Sequence, residues 1–171
     1  MKIIPFKKSY WVVPGILLVG QVPTGKDLCE TREMLKGLSE LNVKVIINLM
    51  EHDEKNKEGK LFYNYQEDVQ QLGIKMYRYP IKDISIPSKE LMASILNQIE
   101  LAIERNETVY IHCWGGVGRT GTVVGCLLKK LKYATNDNVF DFIEYLKRTS
   151  PMSKRMSPET LEQMNFVLDW K

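Results

Sequence analysis

Thr108-Val109-Tyr110-Ile111-His112-Cys113-Trp114-Gly115-Gly116-Val117-Gly118-Arg119-Thr120-Gly121 runs from an apolar, β-rich tetrapeptide into a loop. In that loop five residues, three of them glycine, separate a cysteine from an arginine. The apolar stretch Val123-Val124-Gly125-Cys126-Leu127-Leu128 follows it. This pattern predicts a buried strand, a tight loop and the N-terminus of a buried helix in succession. Phosphate binds well to such a junction. Glycines let consecutive N–H groups turn onto one centre, and the unpaired amides of the first helical turn add the positive end of the helix dipole. The same field favours the thiolate of Cys113, a nucleophile at neutral pH. Arg119 adds a planar fork that pairs with two phosphoryl oxygens at once, which a lysine cannot do equally well. A buried structural cysteine beside a Gly-rich turn accounts for any one of these residues but not for their combination.

Outward from the loop, strand and helix signals alternate. Lys44-Val45-Ile46-Ile47-Asn48-Leu49 reads as a strand buried on both faces, and Ile74 to Tyr79 as a half-buried one. Tyr10 to Val13 and Ile16 to Val19, punctuated by Pro14-Gly15, suggest a hairpin, with Trp11 in the core. Helical stripes are expected at Leu28, Leu35, Leu38 and Leu41, capped by Thr24 or Asp27, and at Leu61, Tyr65, Val69 and Leu72, stopped by Gly73. Another follows the Ser88 cap at Leu91, Ile95, Ile99 and Ala102. After the loop come Val123, Leu127 and Leu131, then Val139, Ile143 and Leu146. The last stripe is Leu161, Met164, Val167 and Leu168, started by Ser157-Pro158-Glu159. Lys129, Lys130 and Lys132 lie where cations favour a helix C-terminus. The expected fold is α/β, a single domain over 1–171 (core about 10–170) with a central, mainly parallel sheet flanked by helices and the Cys113 loop at its carboxyl edge.

A chain of 171 residues, 44% hydrophobic and 26% charged, suits one soluble domain, and no apolar run reaches the ~20 residues of a membrane span. The N-terminus lacks a signal-peptide pattern, and Cys29, Cys113 and Cys126 are too widely spaced for a disulfide framework, so a cytoplasmic protein is expected. Cys29 reads as a half-buried structural thiol. A net charge of +3 does not argue for nucleic acid. His52 among scattered carboxylates has no ligand spacing behind it, so no metal and no cofactor is expected. The residues specify no oligomeric state.

His112-Cys113, five residues, then Arg119-Thr120 after a strand resembles the signature of the cysteine-dependent protein tyrosine phosphatases. The chain's small size is similar to the dual-specificity branch. The resemblance extends from about Trp11 to Trp170. It implies that Cys113 attacks phosphorus and that Arg119, with the amides from Trp114 through Gly115, Gly116, Val117 and Gly118, holds the phosphoryl oxygens. Thr120 assists departure of the sulfur, and His112 braces the loop without transferring protons. Asp83, in Pro80-Ile81-Lys82-Asp83-Ile84-Ser85-Ile86-Pro87, is by itself a turn residue; the resemblance makes it the general acid. Glu51, otherwise part of a solvated charged stretch, matches an acidic residue that orients a catalytic group in some relatives. Gln163 matches a glutamine that positions the hydrolytic water, and reads equally well as an exposed helix residue.

The implied function is phosphate-monoester hydrolysis, of a phosphorylated protein at tyrosine or with dual specificity. An inositol-phosphate or phosphoinositide substrate is the alternative, although Trp114 and Val117 stand where such relatives carry loop lysines. A non-catalytic phosphate-binding module is more remote, since it has no need to keep Cys113, Asp83 and Arg119 together. Lys147, Arg148, Lys154 and Arg155 form a basic group that either selects acidic substrates or is a solvated surface.

Overall fold

Residues 4–171 are described by a computed structural model of the chain. The elements are β1 (Ser9–Val13), β2 (Leu17–Gly20), α1 (Leu28–Glu40), β3 (Val43–Asn48), α2 (Gln66–Gln71), β4 (Lys75–Arg78), α3 (Lys89–Glu104), β5 (Thr108–His112), α4 (Gly118–Lys130), α5 (Val139–Lys147), a 3₁₀ turn (Pro151–Lys154) and α6 (Leu161–Asp169). One sheet runs in the order β1-β2-β5-β3-β4, with β1 antiparallel to β2 and the other pairs parallel. The Pro14-Gly15 hairpin forms its antiparallel edge: Ile16 N–H donates to Val13 O at 3.0 Å.

β5 is central in the sheet, and all five of its residues are buried, the polar Thr108 and His112 included. Side-chain alternation sends Val19, Val45, Ile47, Val109 and Ile111 into a core shared with α3, α4, α5 and α6. Leu18, Ile46 and Tyr110 point the other way, into a core with α1 and α2, against which Trp11 is half-buried. Covered faces on both sides explain why β3 and β5 are almost uniformly apolar.

Several helical stripes depart from the sequence reading, each for a local reason. Asp27 caps α1, accepting from Glu30 N–H at 2.8 Å, but Leu28 and Cys29 are exposed, so Cys29 is not the half-buried thiol expected. Thr31 opens the buried face instead, its hydroxyl donating to Asp27 O (2.8 Å) and accepting from Gly25 N–H (3.0 Å). Leu61 lies outside α2 and is exposed. Asn56 Oδ1 accepts from both Glu58 N–H and Lys60 N–H at 3.0 Å, and this turn chemistry overrides the helical period before residue 61. α6 starts at Leu161, not at Ser157, because Thr160 and Gln163 form a capping box. Lys129 does not serve its own helix end: its Nζ donates to Val167 O and Leu168 O, both at 2.7 Å, closing the C-terminus of α6.

Candidate active site

The Cys113 loop leaves β5 at His112 and enters α4 at Gly118. Gly116 has φ 71°, and a Cβ there would stand 2.3 Å from Gly20 C and 2.5 Å from Gly20 O, so both conformation and space require glycine. The loop carbonyls are drawn outward: Val22 N–H donates to Trp114 O at 3.0 Å and Ser157 Oγ–H to Val117 O at 2.8 Å. The amides from Gly115 to Arg119 have no hydrogen-bond partner among the described residues, and the loop curls around the site. Cys113 is buried in this cradle, on the wall of a cavity of about 470 Å³. Thr120 Oγ1–H donates to Cys113 Sγ at 3.1 Å.

Arg119 is almost wholly enclosed. One end of its guanidinium is clamped by Glu54: Nη1–H donates to Oε1 and Nη2–H to Oε2, the latter at 3.0 Å. Nη1–H also donates to Ile81 O at 2.8 Å, and Nη2 pairs with Asp83 Oδ1 at 2.9 Å. Nε–H is buried without a partner among the described residues. Burial works against the charged form, but the Glu54 hydrogen bond and the Cys113, Glu54 and Asp83 charges outweigh it and raise the Arg119 pKa. Of five guanidinium N–H groups, the edge made by Nε and Nη2 is thus the one left for a ligand, once Asp83 yields.

Glu51 stands one step from this clamp. Its backbone N–H donates to Glu54 Oε1 at 2.9 Å, so Glu51 supports the residue that meets the arginine, and Glu54 holds Arg119 itself. A mixed charged stretch, Glu51 to Glu58, offers no periodic signal by which to choose between them.

His112 is fully buried and its pKa is pushed down to about 3, first by burial and then by the positive charges of Arg78 and Arg119, against a hydrogen bond to Cys113 that raises it. The imidazole is therefore neutral at pH 7. Its Nδ1 lies 3.2 Å from Cys113 O, which can only accept, so Nδ1 carries the proton and Nε2 is the acceptor. Tyr65 O–H donates to Nε2 at 2.5 Å and accepts from Asn48 Nδ2–H at 3.2 Å. A directed chain, Asn48 to Tyr65 to His112 to Cys113 O, locks the histidine's tautomer. Tyr65 stood in the sequence only as a position on a helical stripe.

Asp83 sits in a turn closed by Ser85 N–H donating to Lys82 O at 3.1 Å, with Ile84 at φ 64°, a conformation a β-branched residue adopts only under strain. Its carboxylate lines the cavity and is 45% exposed, so it can leave Arg119 toward solvent or a ligand. Gln163 is not an exposed helix residue; it is fully buried. Its Oε1 accepts from Glu159 N–H (3.0 Å) and Thr160 N–H (3.3 Å), and its Nε2–H donates to Ser85 O at 3.1 Å. The side chain thus ties the start of α6 to the Asp83 turn, using its oxygen and one of its two amide N–H groups.

The basic group of the sequence divides. Lys147 is buried, pairs with Glu144 at 2.8 Å and donates to Met152 O and Arg155 O, so it staples the 3₁₀ turn. Arg148 lies over the Tyr145 ring. Of the four, Arg155 lines the cavity, beside Gly115. Burial pushes the Cys126 thiol up to about 12, leaving it inert. Among the described residues no three of His, Cys, Asp and Glu converge to hold a metal ion.

Residues 22–132 match the family model described as "Polymorphic toxin system, DSP-PTPase phosphatase". The chain is 26% identical over 102 residues to a cyclin-dependent kinase inhibitor 3 of Sus scrofa, covering 59% of this chain and 45% of that protein. It is 26% identical over 153 residues to protein tyrosine phosphatase domain-containing protein 1 of Mus musculus, covering 86% of this chain and 20% of that protein. The chain therefore spans less than half the length of these curated relatives. Among solved structures it is similar to kinase associated phosphatase bearing a serine in place of its catalytic-site cysteine. There the TM-score is 0.74 at 21% identity, over 88% of this chain and 83% of that one.

Proposed function

This chain belongs to the DSP-PTPase phosphatase family of polymorphic toxin systems, and on that footing we propose that it hydrolyses phosphate monoesters through a cysteinyl-phosphate intermediate, acting as a protein tyrosine or dual-specificity phosphatase. The observation that carries the proposal is the state of Arg119. Among the described residues its Nε–H is buried without a partner beside the Cys113 cradle, and the adjacent Nη2 N–H groups are held only by the movable Asp83 and by Glu54. A phosphoryl group seated on the loop amides takes the Nε and Nη2 edge with two oxygens and displaces Asp83 toward the leaving group.

Cys113 Sγ then attacks phosphorus; the S–P bond forms as the P–O bond to the leaving group breaks, and Asp83 gives that oxygen its proton. In the second step water adds to phosphorus, Asp83 takes its proton, and the S–P electron pair returns to Cys113, where the Thr120 hydroxyl at 3.1 Å stabilises the thiolate. His112, held neutral, supports the loop through Cys113 O and transfers no proton. Gln163 acts on the acid turn through Ser85 O. The chemistry needs a reduced Cys113, which fits a reducing compartment such as the cytoplasm. No helix among the described residues is long and apolar enough to cross a membrane.

The test is Cys113→Ser. Turnover of an aryl phosphate is expected to fall to background while the variant still binds tungstate, because the amide cradle and Arg119 survive. Turnover near wild type would remove Cys113 from the reaction, and binding without turnover in the unaltered protein would make the chain a phosphate-binding module.

A further inference from the structure

Two cations on the cavity wall have no part in the chemistry above. Lys8 and Lys57 line the same cavity as Cys113, and among the described residues neither ammonium has a carboxylate partner. The acidic groups of that wall are already engaged: Asp83 with Arg119, and Glu159 with Arg155. Once the reacting phosphate is held by Arg119 and the amides, Asp83 turns to the leaving group, and the two exposed lysines remain without a carboxylate partner among the described residues.

Both lysines are placed by backbone structure. Lys8 O accepts from Gln21 N–H at 3.0 Å, and the Gly20-Gln21 backbone is the surface against which Gly116 of the loop is packed. Lys57 stands in the turn organised by Asn56, where Asn56 N–H donates to Lys60 O at 2.8 Å and Gly59 N–H to Asn56 O at 2.9 Å. That turn begins just after Glu54, which is fastened to Arg119. The neighbouring charges do not compete for Lys57, since Glu58 pairs with Lys60 at 3.0 Å. Two segments far apart in the chain therefore each contribute a lysine to the wall of the cavity that Cys113 and Arg119 also line.

We propose that Lys8 and Lys57 form a subsite for a second phosphate, so that the preferred substrate carries two phosphate groups, one at Cys113 and one at the mouth. The inference rests on the phosphatase reading of the same cavity. A second phosphate matches the subsite because it carries about −1.5 to −2 charge at pH 7 and three acceptor oxygens, enough for both ammoniums, whereas a carboxylate brings a single charge. The loop itself, with Trp114 and Val117 at its variable positions, supplies no such charge, so selectivity falls to the two lysines.

The test compares kcat/KM for two matched pairs: an inositol monophosphate against inositol bisphosphates, and a singly against a doubly phosphorylated peptide. The unaltered protein is expected to prefer the bisphosphate of at least one pair by about tenfold or more, and the pair that shows it identifies the source of the second phosphate. In Lys8→Gln with Lys57→Gln that preference should collapse toward one. Absence of preference in both pairs, persistence of it without the lysines, or an equal preference for a singly phosphorylated peptide rich in carboxylates would overturn the subsite. Calorimetric binding of the same pairs to Cys113→Ser, with and without the lysines, reads the subsite without turnover. If the unaltered protein hydrolyses no monoester, the phosphatase reading fails and this binding comparison alone decides the second-phosphate site.

Discussion

Replacing Glu54 with alanine removes both acceptors from one end of a guanidinium that is 2% exposed. Breaking one side of a buried ion pair costs about 3–5 kcal/mol, most of it the penalty of leaving the other charge unpaired. Arg119 keeps Ile81 O and Asp83, and Asp83 is half-exposed, so the low end of that range applies. A loss of about 3 kcal/mol corresponds to a fall in Tm of roughly 6–12 °C for a domain of this size. The catalytic loss should exceed what instability alone produces. Without its clamp the guanidinium turns toward Asp83, and a displacement of about 1 Å from the phosphate-binding edge costs on the order of 100-fold in kcat/KM. The assay is thermal unfolding together with aryl phosphate kinetics well below the variant's Tm. Glu54→Gln, which keeps one acceptor, should fall between alanine and wild type, and Glu51→Gln should leave both readings close to wild type. Glu54→Ala with unchanged Tm and kinetics, or a larger loss at Glu51, would refute the clamp.

Asp83→Asn should cost far more with an alkyl phosphate, whose alkoxide leaves poorly, than with an activated aryl phosphate; equal losses in the two kinetic series would place the acid elsewhere. His112 should make the fold acid-sensitive. Its folded pKa, about 3, lies below the unfolded value of about 6.5, so the unfolded chain binds the extra proton between them and stability falls as pH drops through that window. The slope should approach ~1.4 kcal/mol per pH unit in chemical denaturation, and His112→Gln, if folded, should flatten it; an unchanged slope would mean His112 is not buried neutral. Gln163→Leu should destabilise the domain by about 2 kcal/mol by orphaning Ser85 O and two amides of the α6 N-terminus. It should also raise the leaving-group dependence of kcat; a stability loss without that kinetic change would confine Gln163 to capping.

The Cys113 loop was legible in the chain because its chemistry is contiguous. A strand, a run of glycines and a helix start need only neighbouring backbone to make an anion cradle, and Cys113, Arg119 and Thr120 follow from their places in it. The parallel sheet was legible for a similar reason, since β3 and β5 are built mainly from apolar residues. Helix boundaries were less so where one side chain redirected the backbone. Thr31 took the buried place expected for Leu28, and Asn56 formed a turn ahead of Leu61, because hydrogen bonds to nearby amides outweigh an apolar period. What holds the site together was decided only in three dimensions. Glu54 meets Arg119 across 65 residues and Tyr65 meets His112 across 47, and a single polar residue at the end of such a separation leaves no pattern in its own neighbourhood. The same holds for charge. Lys147, Arg148, Lys154 and Arg155 are close in sequence, yet burial of Lys147 turned one of them into a structural staple. Meanwhile Lys8 and Lys57, far apart in the chain, reached one cavity because the sheet edge and the Asn56 turn converge on the Cys113 loop. Composition fixes how many charges a chain carries, but desolvation and packing determine which of them face a ligand.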